Sequence, residues 1–222
     1  MTGEVPQYLI NYLVGARSNL RLSGTLSKGS PYHSVGGVTI YTHNQGRLRE
    51  CLEPLRKGGS VPVIENPNGL NAVDVQAGQL AISSLSKYGA LLTCTLLNCS
   101  GIAFKLKEAK GAEGTYFALG HIVSGVENAL EDFGNIIRGR FRIVDVAFRS
   151  EESIRPQIEN KIKDLYKRGL TRSSQVEPDK VRIRTDRSWD AMMVTKEGVS
   201  FLREDAPQEW NPRIEQQAAW KT

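Results

Sequence analysis

The sequence predicts an α+β fold with a mainly antiparallel sheet, three to four packed helices and extended terminal arms. Short runs of alternating apolar and polar residues, such as 20–26 and 180–184, are typical of half-buried strands. Longer stretches with apolar residues three and four positions apart, such as 122–137 and 154–165, are typical of helices with one buried face. Hydrophobic residues make up 40% of the chain, which is enough for a sizeable core.

The segment 114–169 is predicted to form the centre of this fold. Its first half has the helical period over 122–137, and 140–149 is then dense in β-forming residues. Ser153 is expected to cap a second helix, with Pro156 in its first turn, where a missing N–H costs little. We therefore expect a helix, a strand and a helix in succession.

The flanking segments are assigned by the same rules. A helix is predicted over 44–57, and Pro62 indicates that the strand at 61–64 lies at a sheet edge. Strands at 91–97 and 102–106 are expected to form a hairpin through the turn 98–101. The predicted domains are an N-terminal arm or docking helix at 1–17, a core at 18–169, and a C-terminal basic strand unit and tail at 170–222.

Composition limits the classes of function. The net charge of +5 favours a phosphate-bearing partner, although a basic protein with no such partner is an equal alternative. Three cysteines, Cys51, Cys94 and Cys99, form no disulfide framework, which indicates a reducing compartment such as the cytoplasm. There is no secretory signal pattern, and no apolar run approaches the roughly 20 residues of a spanning helix.

The sequence lacks the usual catalytic patterns. It contains no Gly-x-Ser-x-Gly elbow, phosphate-binding loop, dinucleotide fingerprint or metal-ligand spacing. We therefore expect no catalytic residues, no metal and no cofactor, and no small-molecule substrate is evident. His121 is the one candidate base, and an imidazole that packs in the core or caps a helix is the more common case.

Two groups of basic residues point to an anionic partner. On a strand, alternate side chains share a face and are about 7 Å apart, close to the spacing of phosphates along a nucleic-acid strand. The alternative is that these side chains pair with nearby aspartates on a solvated face. The predicted binding residues for nucleic acid or an anionic surface are Arg138, Arg140, Arg142, Lys180, Arg182, Arg184 and Arg187.

The tail is predicted to mediate self-association. Trp210 and Trp220 stand alone in an acidic, amide-rich segment, and indole rings are common anchors at protein interfaces. We therefore expect these two residues to dock on a neighbouring subunit of a homo-oligomer.

Two stretches carry a resemblance to a known family. The run 141–153 reads Phe-Arg-Ile-Val-Asp-Val-Ala-Phe-Arg-Ser-Glu-Glu-Ser and precedes an amphipathic helix. The run 22–32 reads Leu-Ser-Gly-Thr-Leu-Ser-Lys-Gly-Ser-Pro-Tyr. Both resemble segments of rhabdovirus matrix proteins. The resemblance implies a viral structural protein of the virion that self-associates, bridges condensed ribonucleoprotein to an anionic membrane and has no catalytic residues.

The first functional hypothesis is therefore a non-enzymatic, matrix-like assembly protein, basic and self-associating, that links ribonucleoprotein to an anionic surface as a peripheral membrane protein. The second is a monomeric RNA-binding protein, associated with a nucleocapsid or a ribosome. The third is an unrecognised enzyme around His121. This hypothesis requires a concave pocket at that residue, and a fully buried imidazole that bonds only to backbone would rule it out.

Overall fold

A computed structural model of the chain describes residues 21–23, 34–35, 38–44, 47–50, 61–64, 70–94, 96, 99–109, 114–165, 182–184, 189–204 and 213–220. The strands are β1 (Arg21–Ser23), β2 (Ser34–Val35), β3 (Val38–Asn44), β4 (Arg47–Glu50), β5 (Val61–Ile64), β6 (Ala72–Asp74), β7 (Gln79–Ser83), β8 (Ala90–Thr93), β9 (Ser100–Glu108), β10 (Thr115–Ile122), β11 (Phe141–Arg149), β12 (Arg182–Arg184), β13 (Trp189–Val194), β14 (Gly198–Glu204) and β15 (Arg213–Ala219). The helices are α1 (Val126–Ile137) and α2 (Arg155–Leu165), which follows a single 3₁₀ turn at Glu152–Ile154.

These strands form two sheets. The first sheet has the order β1-β5-β6-β8-β13-β14-β15, and the second has the order β12-β11-β9-β10-β7-β3-β2, with β4 paired to β3. Neighbouring strands are antiparallel except for the pairs β6–β8 and β11–β12, which are parallel. The chain crosses repeatedly between the two sheets, so that each sheet contains strands from both halves of the sequence.

The molecule has three layers: the first sheet, the second sheet and the two helices. The two sheets face each other across an apolar core to which both contribute, including Leu91, Met192 and Phe201 from the first and Ile40, Phe117 and Leu119 from the second. The other face of the second sheet packs against α1 and α2, where the Phe104 and Phe133 rings stack with centroids 4.3 Å apart. The second sheet is therefore the middle layer, with an apolar core on each of its faces.

The three central elements were predicted correctly in type. Val126, Leu130, Phe133 and Ile137 form the buried stripe of α1, as their spacing predicts. The predicted strand at 140–149 is β11, and the predicted second helix is α2. Ile122, however, is the last residue of β10 and not part of the helix. Its four-residue step to Val126 is a coincidence of spacing, because a short apolar run fits both periods.

The predicted α+β fold with three to four packed helices is wrong. The described residues contain two helices and are mostly β-structure. One error is the helix predicted over 44–57: residues 47–50 form β4, which pairs with β3 and places Leu48 opposite His43. The leucine spacing there was helical, but pairing with β3 overrides a local preference that is worth little per residue.

The predicted hairpin of 91–97 with 102–106 is also wrong. Residues 91–93 lie in β8 and 102–106 lie in β9, but β8 belongs to the first sheet and β9 to the second. β8 pairs with β6 and β13, while β9 pairs with β10 and β11. The chain therefore passes from one sheet to the other between the end of β8 and the start of β9, and the predicted turn residues Ser100 and Gly101 already belong to β9.

Two further expectations need correction. The strand with Pro62 is not at an edge, because β5 lies between β1 and β6. Pro62 is tolerated because it pairs only with Leu22 of β1, and the pairing with β6 begins at Val63. In addition, β12 completes the second sheet and β13–β15 complete the first. The described part of 170–222 therefore belongs to the same two sheets as the core, and the predicted arm at 1–17 lies outside the described residues.

The two helices of the described chain have 12 and 11 residues. Each is far short of the roughly 20 residues that a bilayer-spanning helix needs.

Candidate functional site

The clearest charged feature lies where β9, β10 and β11 run side by side. Lys105 and Lys107 alternate with Phe104 and Leu106 on β9, so the apolar pair faces the helices and the lysines face the other side. On β11, Arg142 lies between two residues that pack against the helices, so it also faces away from them. We call Lys105, Lys107 and Arg142 the cationic strip.

The strand register brings these three charges together. Arg142 lies directly opposite Lys107, and Lys105 is two residues further along the same face. Opposite Cβ atoms in an antiparallel pair are about 5 Å apart, and like charges there destabilise the fold. Arg142 is exposed and forms no ion pair with any part of the chain that the structure describes. The strip therefore carries positive charge that the folded chain neutralises only in part.

The environment of Lys105 shows that positive charge at the strip exceeds negative charge. Burial lowers the pKa of Lys105, and the neighbouring positive charge of Lys107 lowers it further. Asp145, which lies opposite Lys105 and is 3% exposed, acts in the other direction without cancelling these effects. An anion bound at this face would stabilise the protonated amine.

The other two arginines of the first predicted cluster lie in the turn that leads into β11. Arg138 and Arg140 are exposed, on either side of Gly139, whose φ of +72° is a left-handed conformation that suits glycine. The Arg140 guanidinium lies 5.3 Å from the centroid of the Phe141 ring, which faces the helices. Arg140 is the residue before β11, and the sharing of one strand face by Arg140 and Arg142 stays a prediction.

The second predicted cluster lies at the opposite end of β11. Arg182 and Arg184 belong to β12, whose backbone pairs in parallel with 147–149. Five residues of strand separate Arg142 from the nearest of these positions, or about 17 Å at 3.3 Å per residue. The two clusters therefore share one sheet edge without forming a single patch. Lys180 and Arg187 lie outside the described residues, and their roles stay predictions.

Trp220 is buried within its own chain. The residue is 8% exposed, its ring centroid lies 5.9 Å from that of Phe117, and its Nε1 donates a hydrogen bond of 2.9 Å to the Thr195 carbonyl. The Trp220 backbone N–H also donates to the Glu197 carbonyl. A neighbouring subunit could reach this indole only if these contacts opened, so self-association through Trp220 stays a prediction, as does that through Trp210, which lies outside the described residues.

His121 lies between the two sheets. It is 2% exposed, and its Nδ1 is 2.8 Å from the Thr93 hydroxyl, which donates its proton to the Val75 carbonyl at 2.7 Å. Because a hydroxyl has one proton, Nδ1 must be the donor to Thr93, which fixes the neutral imidazole as the Nδ1–H tautomer. The imidazole bonds to a side chain and not only to backbone, so the condition for dismissing a His121 enzyme is not met.

The enzyme hypothesis requires a concave pocket at His121. A cleft lies nearby, but its wall begins at the next residue, Ile122, on the other face of β10. Within the described residues, no three His, Cys, Asp or Glu side chains converge as a metal site requires. Neither Cys94, which is buried, nor Cys99, which is half-buried, belongs to a disulfide, and Cys51 lies outside the described residues. Enzyme activity around His121 stays a prediction. Because His121 is buried between the two sheets, a substrate could reach the imidazole only if the sheets separated.

Sequence reasoning found the arginines and missed the arrangement around them. Lys105 and Lys107 belong to the site only because β9 pairs with β11, and residues 107 and 142 are far apart in the sequence. The alternation of Lys105 and Lys107 with apolar residues was the available signal. Scans against protein-family models, curated proteins and solved structures found no match, so the resemblance to rhabdovirus matrix proteins stays a prediction.

Proposed function

We propose that the protein is a non-enzymatic, basic structural protein that self-associates and links ribonucleoprotein to an anionic surface, with RNA phosphates held at the cationic strip. The supporting observation is that folding brings Lys107 and Arg142 directly opposite each other, with Lys105 on the same face. This arrangement costs stability in the free protein. A polyanion would offset the repulsion, so the strip is better suited to binding than to holding the fold together.

The spacing along the strip fits a phosphate backbone. Lys105 and Lys107 lie about 7 Å apart along β9, close to the distance between phosphates of an extended single strand. The Arg142 guanidinium presents a fork of donors that matches phosphate oxygens, while the lysines act as point charges. Exposed Arg138 and Arg140 extend the positive charge beyond the strip, which favours a long polyanion over a single small anion.

Self-association has support of a different kind. Each sheet ends in open strands, β1 and β15 in the first sheet and β12 and β2 in the second, among the residues that the structure describes. An edge strand offers unpaired backbone groups to a second copy of the chain. We place such assemblies in the cytoplasm, or in the virion if the protein is viral.

The RNA arm of the proposal is tested by fluorescence anisotropy with a labelled single-stranded RNA over a salt series. The double variant Lys107→Gln/Arg142→Gln should bind more weakly, and the slope of log K against log[salt] should become shallower by about 1.4, since each single-strand phosphate contact contributes about 0.7. The matched control is Lys163→Gln/Lys196→Gln, which removes two charges on α2 and the β13–β14 turn. Equal losses in both variants would contradict a site at the strip.

A monomeric RNA-binding protein is the second candidate, favoured by the same phosphate-like spacing. Sedimentation velocity of the wild-type protein, alone and with RNA, separates the two. Concentration-dependent association, strengthened by RNA or by phosphatidylserine vesicles, supports the assembly protein. A monomer that binds RNA one to one supports the second candidate, and a monomer that binds neither RNA nor vesicles contradicts both.

A further inference from the structure

A cleft of about 270 Å³ opens on the helix side of the second sheet, away from the cationic strip. It lies where the first residue of β9 and the last residue of β10 meet the beginnings of α1 and α2. Its walls are formed by Ser100, Ile122, Val123, Ser124, Gly125, Val126, Glu127, Asn128, Glu151, Ile154 and Gln157. No lysine or arginine is among them, so the cleft differs in chemistry from the strip.

The first polar feature of the cleft is the uncapped N-terminus of α1. The residue before the helix is Gly125, in a left-handed conformation with φ of 65°, and it has no side chain to accept from the first turn. The N–H groups of Val126, Glu127 and Asn128 have no partner among the described residues. Free N–H groups and the helix dipole together favour a negatively charged group at this end of a 12-residue helix.

The second feature is Ser100, which independently indicates a ligand. Ser100 is 1% exposed, and its Oγ has no hydrogen-bond partner in the part of the chain that the structure describes. Alternation along β9 places this side chain on the same face as Ile102, toward the helices and the cleft. A buried hydroxyl without a partner is costly, so a group in the cleft that bonds to Ser100 would remove that cost.

The third feature is a pair of carboxylates, Glu127 and Glu151, on the cleft wall. The Glu151 carboxylate is held in place by a 3.3 Å hydrogen bond from the Ser153 hydroxyl. With two negative charges and no positive one in the wall, a simple anion such as phosphate is repelled. A simple cation would leave the helix N–H groups and Ser100 unused. A ligand with both charges satisfies both sets of groups.

The remaining wall is apolar and the space is small. Ile122, Val126 and Ile154 provide an aliphatic surface beside the polar groups. A volume of about 270 Å³ lies just below the usual range for drug-sized ligands, roughly 300–1,000 Å³.

We propose that this cleft binds a free, zwitterionic α-amino acid with a small aliphatic side chain. Its carboxylate accepts from the N–H groups at the start of α1 and from Ser100, its ammonium lies between Glu127 and Glu151, and its side chain packs on Ile122, Val126 and Ile154.

The test is isothermal titration calorimetry of the full chain with L-leucine and two analogues. Leucine should bind one to one. Leucinamide, which lacks the carboxylate, and 4-methylpentanoate, which lacks the ammonium, should each bind about 10- to 100-fold more weakly, the loss expected for one charged hydrogen-bonding group.

Variants locate the site. Ser100→Ala and Glu151→Gln should each weaken leucine binding about tenfold or more while the circular dichroism spectrum stays native. The matched control is Asp164→Asn on α2, an exposed charge outside the cleft, which should bind leucine as the wild type does. The proposal is overturned if leucine does not bind, if either analogue or inorganic phosphate binds as tightly as leucine, or if the Ser100 and Glu151 variants bind leucine normally.

Discussion

At the scale of single residues, the buried Thr93 hydroxyl takes part in two hydrogen bonds. It connects His121 of the second sheet to the carbonyl of Val75, the residue that follows β6 of the first. Thr93→Val keeps the shape of the side chain and removes both bonds. We expect it to destabilise the protein by about 2–4 kcal/mol, because it leaves two buried polar groups without this partner. Urea unfolding measures the loss.

The matched control for that prediction is Thr115→Val, at a half-buried position for which the structure records no side-chain hydrogen bond. It should change the free energy of unfolding by no more than about 0.5 kcal/mol. If the two variants were equally stable, the bridge through Thr93 would not be formed in solution.

Tyr116 provides a prediction about pH. A hydrogen bond to Glu108, burial and the negative charge of Glu108 raise the pKa of the Tyr116 phenol above its usual 10.0, against a smaller opposing effect of Arg140. Since the folded pKa is higher than the unfolded one, the stability from this group is fully present below pH 10 and is lost as the pH rises through the folded pKa. Glu108→Gln should bring the phenol pKa back toward 10, as seen in NMR titration of the tyrosine ring. Glu197→Gln, at the β13–β14 turn, should leave it unchanged.

At the scale of elements, α1 is held to the second sheet by apolar packing and not by charge. Phe133 is fully buried and stacks on Phe104 of β9. Phe133→Ala should cost about 3–5 kcal/mol in urea unfolding, because it removes that contact and leaves a cavity. By comparison, the ion pair of Lys161 with Glu131 joins the two helices at 2.9 Å, but 43% of the Glu131 side chain is exposed. Lys161→Gln should therefore lower the free energy of unfolding by less than about 1 kcal/mol. If Lys161→Gln destabilised the protein more than Phe133→Ala does, charge and not apolar packing would hold α1 in place.

The elements also show what the sequence could predict. α1, β11 and α2 were predictable because each carries its own pattern over nine or more residues. The partners of the strands were not, because pairing depends on residues far away in the chain. β8 and β9 have the composition of a hairpin, yet each lies in a different sheet. The site shows the same limit: Arg142 was identified from its neighbours in sequence, whereas its opposition to Lys107 and the convergence of Ser100 with Glu151 arise only from folding.

At the scale of the whole molecule, the C-terminal quarter of the chain is part of both sheets. β13 lies between β8 and β14, and β12 pairs with β11. A fragment that ends at residue 179 would leave β8 and β11 each without one neighbour. We expect it to show no cooperative thermal transition by circular dichroism, unlike the full chain. A fragment that melts cooperatively near the melting temperature of the full chain would mean that the predicted division at 170 is a true domain boundary.

The position of β13 in the sequence also affects how the chain folds while it is being synthesised. Leu92 of β8 pairs with Met193 of β13, which is synthesised about one hundred residues later. At the usual ribosomal speed of about 5–20 residues per second, this apolar strand emerges roughly 5–20 s before the segment that will cover its open side. A nascent chain with so long an interval is a natural client for a holding chaperone, and its yield in a cell should depend on that protection more than on the final stability of the product.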